Sequence, residues 1–83
     1  MRSLSRFTIS SELADPVLLN IEPEGVFLAL GNGEEVAVID KFVSHPVTVV
    51  CGKSEDGHLI ISLWPGDGEM RVEKDGVDVF DLV

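Results

Sequence analysis

Apolar residues cluster in short runs, and several of the runs alternate with polar ones. In His58–Trp64, Leu59, Ile61 and Leu63 point one way, and His58, Ile60, Ser62 and Trp64 point the other. Val26–Leu30 and Val36–Ile39 are apolar at every position. Turn signals separate the runs: Asn32-Gly33, Ser44-His45-Pro46, Glu55-Asp56-Gly57, Pro65-Gly66-Asp67-Gly68 and Asp75-Gly76. Such spacing, with β-branched residues between the turns, predicts a sandwich or barrel. The predicted strands are Phe7–Ser10, Val17–Ile21, Val26–Leu30, Glu35–Val43, Val47–Cys51, His58–Trp64, Glu69–Glu73 and Val77–Leu82. Only Ser10–Ala14 has the signals of a helical turn, with a serine cap and Pro16 as the stop. The fold class is all-β. One domain over residues 1–83 carries seven or eight short, mostly antiparallel strands, largely as a meander, in a small barrel or two-sheet sandwich.

Two hairpins allow the register to be tested against side-chain chemistry. With Asn32-Gly33 as a type I′ turn, Phe27 faces Val38 and Ala29 faces Val36. Leu28 and Ile39 belong to the other face. Both faces of this hairpin are apolar, so both need cover. The N-terminal segment Phe7–Ile21 or a second copy of the chain would supply it. Phe27, Ala29, Val36 and Val38 are therefore candidate interface residues of a homodimer. With Asp75-Gly76 as the turn, Met70, Val72, Val77 and Val79 share one face, and Arg71, Glu73, Asp78 and Phe80 share the other. Glu73 opposite Asp78 is unfavourable, and diagonal Arg71 relieves it.

Length and composition narrow the function. The chain has 83 residues, 45% of them apolar, which suits one globular core and not a disordered segment. Fifteen acids against six bases give a formal charge of −9. Such a surface repels nucleic acid and anionic lipid, so neither is an expected partner. No apolar run reaches membrane-spanning length, and Met1–Arg6 lacks the apolar core of a signal peptide. The chain reads as complete and cytoplasmic. Its single cysteine, Cys51, excludes an intrachain disulfide and reads as a buried, inert thiol in an apolar strand.

Candidate chemistry is sparse. Gly31-Asn32-Gly33 leads into a strand and lacks the third glycine of a dinucleotide loop. His45, Cys51 and His58 lack the paired spacing of a zinc site. No serine lies in a nucleophile elbow, and no Asp-x-Asp-x-Asp-Gly calcium loop is present. No metal, cofactor or enzymatic activity is expected. Asp40-Lys41 resembles the Asp-Lys pair on the swinging-arm hairpin of lipoyl carrier domains, which are also small, acidic and all-β. The resemblance covers two residues and implies Lys41 as the modified position. Phe42 stands where those domains carry a small residue, and the turn begins only three positions later.

Trp64 stands beside the Pro65–Gly68 turn, where it caps the core or forms a platform with Asp67 and Glu69. Without a tyrosine in the chain, the capping reading is preferred, with a loss of roughly 3 kcal/mol or more for Trp64→Ala. The expected function is a small non-enzymatic β domain working through protein–protein contacts as a homo-oligomer. The alternative is a small-ligand or carrier module using Trp64, Asp67 and Glu69, or Lys41.

The charge balance yields one expectation by itself. Acidification toward the pI of about 4.3 removes the net repulsion between molecules. Light scattering should rise in that interval before circular dichroism reports unfolding. Unchanged scattering would contradict this account.

Overall fold

The computed structural model describes residues 3–82. Met1 and Arg2, where the segment considered for targeting begins, lie outside the described residues, as does Val83. The elements are β1 (Ser3–Ser10), β2 (Val17–Ile21), β3 (Val26–Leu30), β4 (Glu35–Phe42), β5 (Thr48–Lys53), β6 (Leu59–Trp64), β7 (Glu69–Lys74) and β8 (Val77–Asp78), then a 3₁₀ turn over Val79–Asp81. They form two four-stranded sheets. Sheet I has the order β1-β4-β7-β8, and sheet II the order β3-β2-β6-β5. Every pairing is antiparallel except β2 with β6. The sandwich is therefore the right architecture, and no barrel closes.

Alternation places the core between the sheets. Sheet II contributes Val17, Leu19, Ile21, Leu30 and Leu63, and sheet I contributes Val36, Val38 and Val72. Val79 completes the cluster, and Phe7, Ile9, Val26, Leu28, Val47, Leu59, Ile61 and Met70 pack around it. Each fully buried aliphatic side chain stabilises the fold by roughly 1.5–3 kcal/mol before ordering costs.

The meander is overturned. The chain runs from sheet I to sheet II and back twice, and only β2–β3, β5–β6 and β7–β8 are hairpins. The expected β3–β4 hairpin does not form: β3 pairs with β2, and β4 pairs with β1 and β7. The reason lies in the turn. Type I′ geometry needs positive φ at both central residues, and here only Gly33 has it, at 83°. The loop is instead tied to the N-terminal segment. The Gly33 amide donates to the Ser11 carbonyl at 2.8 Å, and the Ser11 amide donates to the Glu34 carbonyl at 3.2 Å. Glu34 Oε1 accepts the Gly31 amide at 2.7 Å, and its other carboxylate oxygen meets the Lys74 ammonium. These bonds turn the chain from one layer to the other. They hold the Glu34 carboxyl below its ordinary pKa, the Lys74 bond first and the Gly31 amide second.

The Asp75-Gly76 hairpin forms as read from the sequence. Both turn residues have positive φ, 53° and 79°. Glu73 lies opposite Asp78, and Arg71 Nε sits 2.6 Å from Glu73 and 4.0 Å from Asp78. The last strand is shorter than expected. Asp78 Oδ1 accepts the Phe80 amide at 3.0 Å and caps the 3₁₀ turn, which tucks Val79 into the core. Ser10–Ala14 makes no helix; Ser11 Oγ accepts the Leu13 amide in a local turn.

Two burial expectations fail. Trp64 is 44% exposed, and Cys51 is exposed. Trp64 is on the side of β6 away from the core, because its neighbour Leu63 points inward. Cys51 faces the inner side of sheet II, but β5 is an edge strand exposed along its whole length. Leu63→Ala should therefore cost about 2–5 kcal/mol, and Trp64→Ala about 1 kcal/mol or less. Urea unfolding of the two variants checks the order. Equal losses would place Trp64 back in the core.

Candidate protein-contact surface

The two outer faces of the sandwich differ in chemistry. On sheet I, β1, β4, β7 and β8 present Arg6, Lys41, Glu35, Glu69, Arg71, Glu73 and Asp78 outward, around Thr8, Ala37, Ile39 and the exposed Leu4. Lys41 lies opposite Glu69 and Arg71 bonds Glu73, while Glu73 and Asp78 are like-charged neighbours; charges at this density belong on a solvated face.

Sheet II carries no carboxylate in any of its four strands, and its only charged residue is Lys53. In a chain of fifteen acids this segregation is marked. The pairing registers assemble the outer face in rows. Ala29, Leu18, Ile60 and Gly52 form one row, and Phe27, Asn20, Ser62 and Val50 the next. Trp64 and Thr48 begin a third. Phe27 is 58% exposed and Val50 49%. No strand of the described residues lies over this face: the N-terminal segment gives β1 to the edge of sheet I and β2 to the interior of sheet II. Exposed apolar patches of this kind are candidate interaction sites. At this face Asn20 holds a buried Oδ1 without a partner. Its footprint is roughly 20 Å on a side, from strand spacing and rise.

The candidate residues from the sequence sort differently. Phe27 and Ala29 lie on this face, while Val36 and Val38 lie in the core on the other sheet. The four do not share a surface, because the hairpin that would unite them does not form. Trp64, Asp67 and Glu69 do not converge either. Trp64 belongs to the outer face of sheet II, and Glu69 to that of sheet I, opposite Lys41. Lys41 lies within β4, away from any hairpin tip.

Asp67 has a structural task. Its Oδ1 accepts the Val43 amide at 2.9 Å, and its Oδ2 accepts the Ser44 amide at 2.9 Å. His45 Nδ1 lies 3.3 Å from Oδ2. On the buried side, Asp40 Oδ2 accepts the Val47 amide at 2.8 Å. The two carboxylates satisfy three amides of the segment that carries the chain from β4 to β5. The Pro65–Gly68 loop packs tightly on that segment. A β-carbon on Gly66 would stand 1.7 Å from the His45 carbonyl oxygen, and one on Gly68 1.6 Å from that of Lys41. Only glycine fits there, so the loop has no open floor for a ligand.

A shallow cleft of about 340 Å³ lies elsewhere, between the 13–16 segment and the β5–β6 turn. Leu13, Pro16 and Leu59 line it, with Lys53 and His58 at its polar margin. Asp56 bridges Ser54 and His58 in that turn, at 3.1 Å from His58 Nδ1. The serine bonds the carboxylate and not the imidazole, so no nucleophile–base pair is made. Among the described residues no three His, Cys, Asp or Glu side chains could hold a metal ion, and no helix is long and apolar enough to cross a membrane.

Comparison with known proteins adds no assignment: no family model matches the chain, and neither does a curated protein or a solved structure. The uncharged outer face was legible in part. The absence of acids from Val17–Ile21, Val26–Leu30, Val47–Cys51 and His58–Trp64 stands in the sequence. That these four segments form one sheet does not.

The Val43 and Ser44 amides hold the Asp67 carboxyl at a pKa of about 2, below the ordinary 3.8. A depressed folded-state value stabilises the fold above the unfolded pKa and is lost as pH falls through the folded one. Stability should thus decline between about pH 4 and pH 2. Asp67→Asn should lower the midpoint of thermal unfolding at pH 7 and flatten that decline. An unchanged acid profile in the variant would sever Asp67 from the effect.

Proposed function

We propose that this chain is a non-enzymatic interaction domain whose contact sheet is sheet II. The observation that carries the reading is the outer face of that sheet: Phe27, Leu18, Ile60, Val50 and Trp64, without a carboxylate, on a protein of charge −9. The aromatic anchors suit an interface, since Trp and Phe supply large contact area with few rotatable bonds. The occupant is an apolar surface of a protein. Nucleic acid and anionic lipid need positive charge, and this face offers none.

The domain acts as a homo-oligomer in this reading, and in a reducing cytosol Cys51 stays a free thiol. Sheet I serves as the solvated back that keeps the assembly soluble.

The test uses the chain as bait in extracts of its own cells. Phe27→Glu and Trp64→Glu place a charge on the contact face at exposed positions, and Thr8→Glu places one on the outer face of sheet I. A specific partner should be lost with the first two and retained with the third, while all three variants keep the parent thermal midpoint within about 8 °C. Retention of the partner by Phe27→Glu and Trp64→Glu would overturn the reading.

A further inference from the structure

The edges of the two sheets are guarded unequally. A free strand edge offers unpaired amides and carbonyls to any other strand, and natural proteins blunt such edges with charge, shortness or bulges. In sheet I, β1 carries Arg6 at mid-strand and β8 is two residues long. In sheet II, the edge strand β3 is uncharged, but it has only five residues and Glu24 and Glu34 lie beyond its ends; β5 is six residues long, exposed at every position, and uncharged until its last residue, Lys53. Among the described residues nothing pairs with its outer edge. Val49 and Cys51 face the inner side of sheet II, yet sheet I does not reach over them. The strand projects as a shelf.

The hydrogen-bond phase of this edge follows from the β5–β6 turn. The Ser54 amide donates to the His58 carbonyl at 2.9 Å. Bonded pairs alternate along an antiparallel ladder, so Gly52, Val50 and Thr48 turn their backbone groups toward β6. Val49, Cys51 and Lys53 turn theirs toward the open edge.

We infer that a second copy of this chain occupies that edge, through antiparallel β5–β5 pairing about a two-fold axis at Cys51. The inference deepens the reading of sheet II as the contact sheet and rests on it. Three points select this occupant and this register. First, pairing Cys51 with Cys51, and Val49 with Lys53 in both directions, uses every outward backbone group of the strand. Centring the axis on Val50 instead sets Lys53 opposite Val47, whose amide is already taken by Asp40. Second, charge favours this meeting place for two acidic molecules. Residues 41–54 contain no acid and carry Lys41 and Lys53. Third, the contact area becomes sufficient. One outer face of roughly 400 Å² is about half of what a standard interface uses per partner, about 800 Å². Pairing at β5 joins two sheets into one of eight strands with both outer faces on the same side, and so doubles the platform.

The register is testable by reversing one charge. Val49 is an exposed edge residue, so its replacement leaves the core intact. In the inferred dimer it lies opposite Lys53 twice. Val49→Glu should tighten the dimer and Val49→Lys should loosen it, with dissociation constants about tenfold apart. General repulsion between acidic molecules gives the opposite order, because the lysine variant is the less negative. Sedimentation equilibrium from low micromolar to near-millimolar concentration measures both. A short bismaleimide should couple two parent chains through Cys51 wherever the dimer forms, and Phe27→Glu should leave that dimer in place. A monomer throughout, equal constants, or the reverse order would overturn strand pairing. None of those results touches the partner assay with Phe27→Glu and Trp64→Glu, which decides the contact face by itself. A dimer lost in Phe27→Glu would place self-association on the face and likewise overturn the edge.

Discussion

Two carboxylates hold the passage from β4 to β5, and much of the molecule depends on that passage. A chain leaving one layer for another exposes amides that no ladder satisfies. Asp67 takes those of Val43 and Ser44 from the outside, and Asp40 takes that of Val47 from the inside. Asp40 does so at a cost, because its Oδ1 is buried without a partner. The result is that β5 leaves sheet I and lies at the rim of sheet II. The close approach of Gly66 and Gly68 to the same segment ties the return passage from β6 to β7 to it. Two crossings are thereby locked together at one end of the sandwich.

The crossings also explain the two unlike faces. A meander would mix charged and uncharged strands within each sheet. Here the chain deals its strands out alternately, one to sheet I, then a pair to sheet II. The acid-free segments fall into the same sheet as pairs, and the charged strands β1, β4 and β7 collect in the other. Electrostatics and hydrophobicity then act together. The charged back keeps molecules apart, and the uncharged front is where an apolar partner meets the least repulsion.

How much was legible depended on the range of the interaction concerned. Approximate strand positions, the Asp75-Gly76 hairpin and the Arg71–Glu73–Asp78 cluster are set by neighbours in sequence and agree with the structure, although β1 begins at Ser3 and not at Phe7, and the last strand stops at Asp78 and not at Leu82. The Asn32-Gly33 turn departs from its local signal, because its conformation is decided by Ser11, twenty residues and more away, and by the Glu34–Lys74 ion pair. The apolar run before Trp64 points it to the core. Its phase along β6 puts it on the outer side, and only the sheet order leaves that side bare. The same holds for Cys51: an apolar strand is buried only where something lies on both of its sides.

The sequence by itself determined an all-β domain, the approximate strands, the alternation that defines each strand's two faces, and a strong negative charge. These follow from local propensity and period, which need no partner segment. The tertiary structure alone decided which strands share a sheet, which of two apolar faces becomes the core, and which edge stays open. Those choices rest on hydrogen bonds between residues far apart in the chain, such as Asp67 to Val43 and Asp40 to Val47. A hydrophobic pattern says that a face must be covered; it does not say by which strand.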